Sequence, residues 1–304
     1  MSHNHKHQHK DISSQKIFIV VILNFIITIS EIVGGILSRS LSLLSDSLHN
    51  LSDTFSILLS YFAIKISKKP NDIKRTFGYK RSEIIVAFVN SSTLVVIAIW
   101  LIIEAIKRFY KPEIIDSNLM IVIATIGFFG NLISIIMLNK ESKNNLNIKS
   151  SFLHLVGDTV SSIGVIIGAV LIKFFNIYFI DPILTILISL YILKEAIEII
   201  LKTINILMQA SPDIDFEEIK KKIELINGVK NIHHIHCWMI NENTIHFEAH
   251  VDIENMLISD VEKIYCEIEN IMKNDYNIEH VTIQPEINKC CNKDLIKKEG
   301  EKNE

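Results

Sequence analysis

Six apolar runs constrain this chain more than any other feature. They cover residues 17–37, 43–66, 84–106, 117–138, 152–175 and 178–204. About 20 helical residues cross a hydrocarbon layer ~30 Å thick, so each run predicts one membrane-spanning helix. No water inside a bilayer satisfies backbone N–H and C=O groups, which favours helices that bond within themselves. The first run carries no small-residue cleavage site and is followed by others, so it reads as a retained helix rather than a signal peptide. The expected fold is an α-helical polytopic membrane protein, a class consistent with 49% hydrophobic residues and a mean hydropathy of +0.32.

Past residue 208 the texture changes. PDIDFEEIKKKIELING predicts an amphipathic helix opened by acidic caps and closed by Gly228. VKNIHHIHCWMI and TIHFEAHVDI alternate as strands do, SDVEKIYCEIENIMKND predicts a second helix, and IEHVTIQPEI a third strand. The order αββαβ suggests a two-layer, ferredoxin-like α+β domain. The expected division is a histidine-rich tail over 1–16, a six-helix membrane domain over 17–208, an α+β domain over 209–290 and a disordered end over 291–304.

Charge sets orientation and excludes one class of partner. Basic residues crowd the gap between runs two and three (Lys68, Lys69, Lys74, Arg75, Lys80, Arg81) and the gap between runs four and five (Lys140, Lys143, Lys149). The positive-inside rule then puts both termini in the cytoplasm. A net charge of −3 and a pI near 6.5 leave no general basic footprint for nucleic acid. The four cysteines, Cys237, Cys266, Cys290 and Cys291, do not form a secreted disulfide framework and point to a reducing compartment.

The apolar runs are interrupted in a patterned way. In run two, Asp46, His49, Asn50 and Asp53 fall at i, i+3, i+4 and i+7, one face of a helix. In run five, His154, Asp158, Ser161 and Ser162 repeat that pattern, and run one adds Asn24, Thr28 and Glu31. Each ionisable side chain near mid-bilayer costs roughly 2.5–3.5 kcal/mol on insertion scales, so these groups should face one another or a cavity. A single polar residue in a membrane helix often just bonds a neighbouring helix, but two matching His-x-x-x-Asp pairs in separate spans exceed that need. Two imidazoles and two carboxylates make a tetrahedral set for Zn²⁺, and two ionised aspartates balance its charge. Four protein ligands leave no position for a hydrolytic water, and no His-Glu-x-x-His supplies a base, so transport is favoured over catalysis. Asp46 either caps the second helix or lies on the ion path. Glu31 and Asn24 are candidates for permeation or proton handling.

The last third is rich in histidine: His233, His234, His236, His246, His250 and His280, with Glu286, Cys290 and Cys291 nearby. Strand alternation separates His234 and His236 from His233 and puts His246 on the side of His250. The tail SHNHKHQHK carries His3, His5, His7 and His9 in polar alternation and suggests a flexible metal-gathering arm.

These motifs resemble the zinc-type branch of the cation diffusion facilitators. HNLSD and HLVGD are similar to that family's ligand motifs in helices 2 and 5, FGYKRSE to its entry to helix 3, DP (Asp181, Pro182) to its entry to helix 6, and VKNIHHIHCW to the start of its cytoplasmic domain. The resemblance implies a homodimer in the lipid bilayer that exchanges Zn²⁺, and often Cd²⁺ or Co²⁺, for protons, with His49, Asp53, His154 and Asp158 as transport ligands. It implies structural or regulatory zinc in the cytoplasmic domain at His233, His250, His280 and Glu286. Histidine at 49 and 154, where manganese-type members would carry aspartate, favours zinc. The sequence expectation is therefore a non-enzyme, a proton-coupled exporter in the plasma membrane. A passive divalent-metal channel and a membrane-embedded zinc hydrolase are the alternatives.

Overall fold

The computed structural model describes residues 6–142, 146–287, 289 and 294–296. It divides into two compact units, residues 1–62 with 86–200, and residues 63–85 with 201–304.

The first unit holds all or most of six long helices: α1 (Lys6–Ser38), α2 (Leu41–Ser67), α3 (Ser82–Tyr110), α4 (Ser117–Ser142), α5 (Leu146–Phe175) and α6 (Ile180–Leu207). Four segments, Ile19–Ser38, Ser82–Tyr110, Ser117–Asn139 and Ser151–Phe175, are apolar enough to cross a membrane by length and composition. α2 and α6 have the length but carry more charge, including Asp46 and Asp53 on one and Lys194, Glu195 and Glu198 on the other. The outward faces stay apolar, with Phe62, Val96, Ile136, Val160 and Leu187 each half exposed or more. That inverted pattern suits lipid as the surrounding medium.

Packing follows small residues. α4 lies along α1, where Gly127 and Gly130 leave room for Glu31 and Ile27; a Cβ at either glycine would collide with those side chains. Leu43, Met120, Ala124, Val165, Ala169 and Ile172 join α2, α4 and α5. Leu94, Ala98, Ile192 and Ala196 join α3 to α6. Close backbone approach between small residues is a usual way for helices to associate in lipid.

Two expectations need correction here. α1 begins at Lys6, so its helix runs through residues assigned to a flexible arm. No glycine or proline interrupts 6–16, and Lys and Gln are good helix formers. His3 and His5 lie outside the described residues, as do the side chains of His7 and His9. Asp46 sits inside α2 rather than capping it.

The second unit contains the α+β domain. α7 (Phe216–Glu224) is capped by Asp215, whose carboxylate accepts from the backbone N–H of Glu217 and Glu218, and it ends before Gly228. Gly228 instead takes φ +93° at the entry to β1. β1 (Val229–Asn241) pairs antiparallel with β2 (Thr244–Ile253). α8 (Ile258–Tyr276) then crosses over to β3 (His280–Glu286), which runs parallel to β2. The sheet order is β1-β2-β3. Ile219 and Ile223 of α7, with Ile264, Ile268 and Met272 of α8, pack on Ile232, Phe247, Ala249 and Val251 of the sheet. The expected αββαβ order is the one observed.

Candidate metal centres

The polar stripes of α2 and α5 meet. His154 Nε2 stands 3.0 Å from Asp53 Oδ2 and 3.6 Å from Asp158 Oδ2, while His49 Nε2 stands 3.5 Å from the same Asp53 oxygen. The two imidazole centroids are 5.6 Å apart. His49, Asp53 and His154 each offer a ligand atom within 4.8 Å of the others. A tetrahedron with bonds of about 2.0–2.2 Å has edges of about 3.3–3.6 Å, close to these spacings.

Burial sharpens the arrangement. Asp158 and His49 are buried, and Asp53 and His154 are partly open. Asp158 Oδ2 and His49 Nδ1 are enclosed without a hydrogen-bond partner. Unpartnered donors and acceptors converging in an interior cost free energy unless something fills the space between them. A divalent cation does so, and the donor set of two nitrogens and two oxygens suits zinc-like ions. The hydroxyl of Ser161, one turn beyond Asp158, donates to Asp46 Oδ1 at 2.6 Å and ties the two stripes together.

The start of α2 is fixed from α6. The Asp181 carboxylate, fully buried, accepts from Ser40 Oγ at 2.6 Å, Leu41 N at 2.8 Å, Ser42 N at 3.1 Å and Ser42 Oγ at 2.6 Å. A negative group at a helix N-terminus satisfies orphan N–H groups and meets the positive end of the helix dipole. Asp181 thus caps α2 from within the first turn of α6, which begins at Ile180.

In the α+β domain a second cluster forms around Glu286. Its Oε1 lies 3.0 Å from His250 Nδ1 and its Oε2 lies 3.6 Å from His233 Nε2. His233 and His250 are cross-strand partners. His234 joins them, with ring centroids 5.0 Å from both. Strand alternation predicted His234 on the opposite side. The register of β1 shifts between His233 and His236, and His234 takes φ +50°, so a bulge turns consecutive histidines to one place. The His-His doublet was the one sequence sign of it. Residues 294–296 run beside the bulge, with Ile235 N donating to Leu295 O at 2.8 Å. Cys290 and Cys291 lie outside the described residues.

His280 is not brought to this cluster. It pairs in register with His246, whereas His250 pairs with Gln284. Four residues of strand at about 3.3 Å each separate the two places by ~13 Å, too far to share an ion. His246 and His280 stack with centroids 4.3 Å apart and line a cavity of ≈ 440 Å³ with Lys69, Lys80 and Glu279. Burial, with His280 and Lys80 nearby, pushes His246 down to about 4. Burial pushes the Cys237 thiol up to about 11, so it is no ready thiolate. Neither His236 nor Trp238 is buried.

The comparisons with known proteins bear on both units. Residues 17–208 match the cation efflux transmembrane domain and residues 211–288 match the cation efflux protein cytoplasmic domain. This chain belongs to the cation efflux family of membrane transporters, which are not enzymes. It is 35% identical to the zinc transporter ZitB of Escherichia coli over 302 residues, 98% of this chain and 96% of that one. It is 34% identical over 291 residues to the metal cation efflux system protein CzcD of Cupriavidus metallidurans, covering 95% and 92%. It is 36% identical over 288 residues to the cadmium, cobalt and zinc/H⁺-K⁺ antiporter of Bacillus subtilis, covering 92% and 91%. A solved structure, the metal-bound C-terminal domain of the CzcD transporter, is 28% identical, spans 24% of this chain and all of that one, and gives a TM-score of 0.23. The chain is thus a metal cation efflux transporter.

Proposed function

We propose that this chain exports Zn²⁺, with Cd²⁺ and Co²⁺ as further substrates, from the cytoplasm as a homodimer in exchange for protons. His49, Asp53, His154 and Asp158 are the transport ligands. The convergence of these four side chains from α2 and α5 carries the reading. The names of the zinc transporter and antiporter relatives support it.

In this reading an ion enters from the cytoplasm, loses water to the two imidazoles and two carboxylates, and leaves on the far side after the helices rearrange. Ligands must shed protons to bind metal, so each ion bound releases protons and each proton regained favours ion release. The basic gaps after α2 and α4 support a cytoplasmic location of both termini, in the plasma membrane. Zinc at His233, His234, His250 and Glu286, in the domain over 209–290, stabilises the dimer and biases the transport equilibrium. His280 has no part in that cluster.

The test is zinc uptake into proteoliposomes under an imposed pH gradient, comparing wild type with Asp53→Ala and His154→Ala. Gradient-driven uptake lost in both variants is expected. Uptake indifferent to the gradient would make the protein a passive channel, and undiminished uptake in both variants would remove these residues from the path.

A further inference from the structure

The four-ligand site leaves buried acids unexplained, Asp46 and Glu31 among them. Glu31 of α1 is 1% exposed, in a helix otherwise rich in Ile and Val. Asn50 Nδ2 donates to its Oε2 at 3.3 Å, and its Oε1 has no partner. Among the described residues no ion pair reaches it. Yet its place is built for it: α4 offers Gly127 where any Cβ would strike Oε1. One turn along α4 from that glycine, Asn131 is fully buried with both amide atoms unpartnered.

A carboxylate enclosed without a cation is costly, whereas a carboxylic acid is tolerated and can donate as well as accept. The charged groups facing Glu31 are Asp46 of α2 and Asp158 of α5; α4 faces it with Gly127. Asn50 follows His49 on the liganding stripe, so the amide that holds Glu31 belongs to the helix that holds the ion.

We propose that Glu31 is a proton-carrying group of the exchange cycle, linked to the metal-liganding stripe through Asn50. This rests on the proton-coupled reading above. When a divalent ion enters the site, its positive charge stabilises the Glu31 carboxylate, and the carboxyl O–H gives its proton to water. When the ion leaves, the carboxylate takes a proton back. One O–H bond breaks and reforms in each cycle, and no other bond changes.

The full-length chain in detergent is titrated with zinc in weak buffer, and protons released per zinc bound are read with an indicator dye. Glu31→Gln keeps the side-chain shape and removes the titrating group, so it should release about one proton fewer per zinc than wild type. A merely structural role for Glu31 would leave that count unchanged, and an unchanged count overturns the proposal. A wild type that releases no protons overturns the proton-coupled reading itself, a distinct result. Should Glu31→Gln fail to fold, infrared difference spectra of wild type and Glu31→Asp decide. Zinc must remove a protonated-carboxyl band in wild type, and that band must move in Glu31→Asp; an absent or unmoved band refutes the assignment.

Discussion

Replacing Asp181 tests how the proposed metal site is held in place. Its carboxylate accepts four short hydrogen bonds from residues 40–42, and Arg108 Nη1 approaches to 3.9 Å. In Asp181→Ala the two serine hydroxyls can turn to each other, since they already lie 3.2 Å apart. The Leu41 and Ser42 N–H groups have no such recourse within a buried helix start. Each orphaned donor costs about 1–3 kcal/mol. Arg108 keeps Glu113 and the Arg39 carbonyl, so its loss is smaller. The sum is roughly 3–5 kcal/mol, the range found when one member of a buried polar pair is removed. Asp181→Asn retains one acceptor oxygen but turns an amide NH₂ towards either the hydroxyls or Leu41 N–H, for about half that loss. Thermal unfolding of the detergent-solubilised protein should fall by roughly 10 °C for Asp181→Ala, at about 2–4 °C per kcal/mol, and by less for Asp181→Asn. Zinc affinity should weaken in the same order, because α2 carries His49 and Asp53. Wild-type unfolding in Asp181→Ala would refute the capping argument, and equal loss in both variants would refute the account of which donors are orphaned.

Other consequences are as direct. Asp53 Oδ2 adjoins both histidines, so under the proposed function Asp53→Ala removes a ligand and a balancing charge. Zinc affinity measured by calorimetry should drop at least about 100-fold, beyond the 10–100-fold loss typical of residues that merely orient a ligand. Glu286→Gln should lower the zinc bound per chain by about one at moderate concentrations, read by elemental analysis, while metal bound through His49 and His154 persists. His246 is held near 4 against an unfolded value of 6.5, so the unfolded state binds the proton first. Its contribution is present above pH 6.5 and is lost as pH falls towards 4, at about 1.4 kcal/mol per unit. His246→Phe should flatten the fall in unfolding temperature between pH 6.5 and 4, and an unchanged pH profile would show that the imidazole is not held neutral.

Much of the site was legible because its grammar is local. The i, i+4 repeat of His and Asp in two apolar runs names a helix face from chain geometry alone, and the cost of charge in lipid requires each face to find a partner. The same holds for α7, whose Asp215 cap and buried Ile219 and Ile223 are written within a few residues. His234 was placed on the wrong side because alternation assumes an unbroken ladder, and one residue at φ +50° breaks it. His280 was grouped with Glu286 by the family resemblance, but parallel pairing of β3 with β2 sets it beside His246.

The sequence by itself determined the helices, the spacing of the His and Asp pairs in α2 and α5, and the order of elements in the α+β domain. These depend on contacts within one or two turns of chain. Only the tertiary structure decided which helix Asp181 caps, that Gly127 makes room for Glu31, and that three histidines gather at a bulge. Those choices rest on contacts between residues up to 141 positions apart, as Ser40 and Asp181 are, and no local period encodes such a meeting.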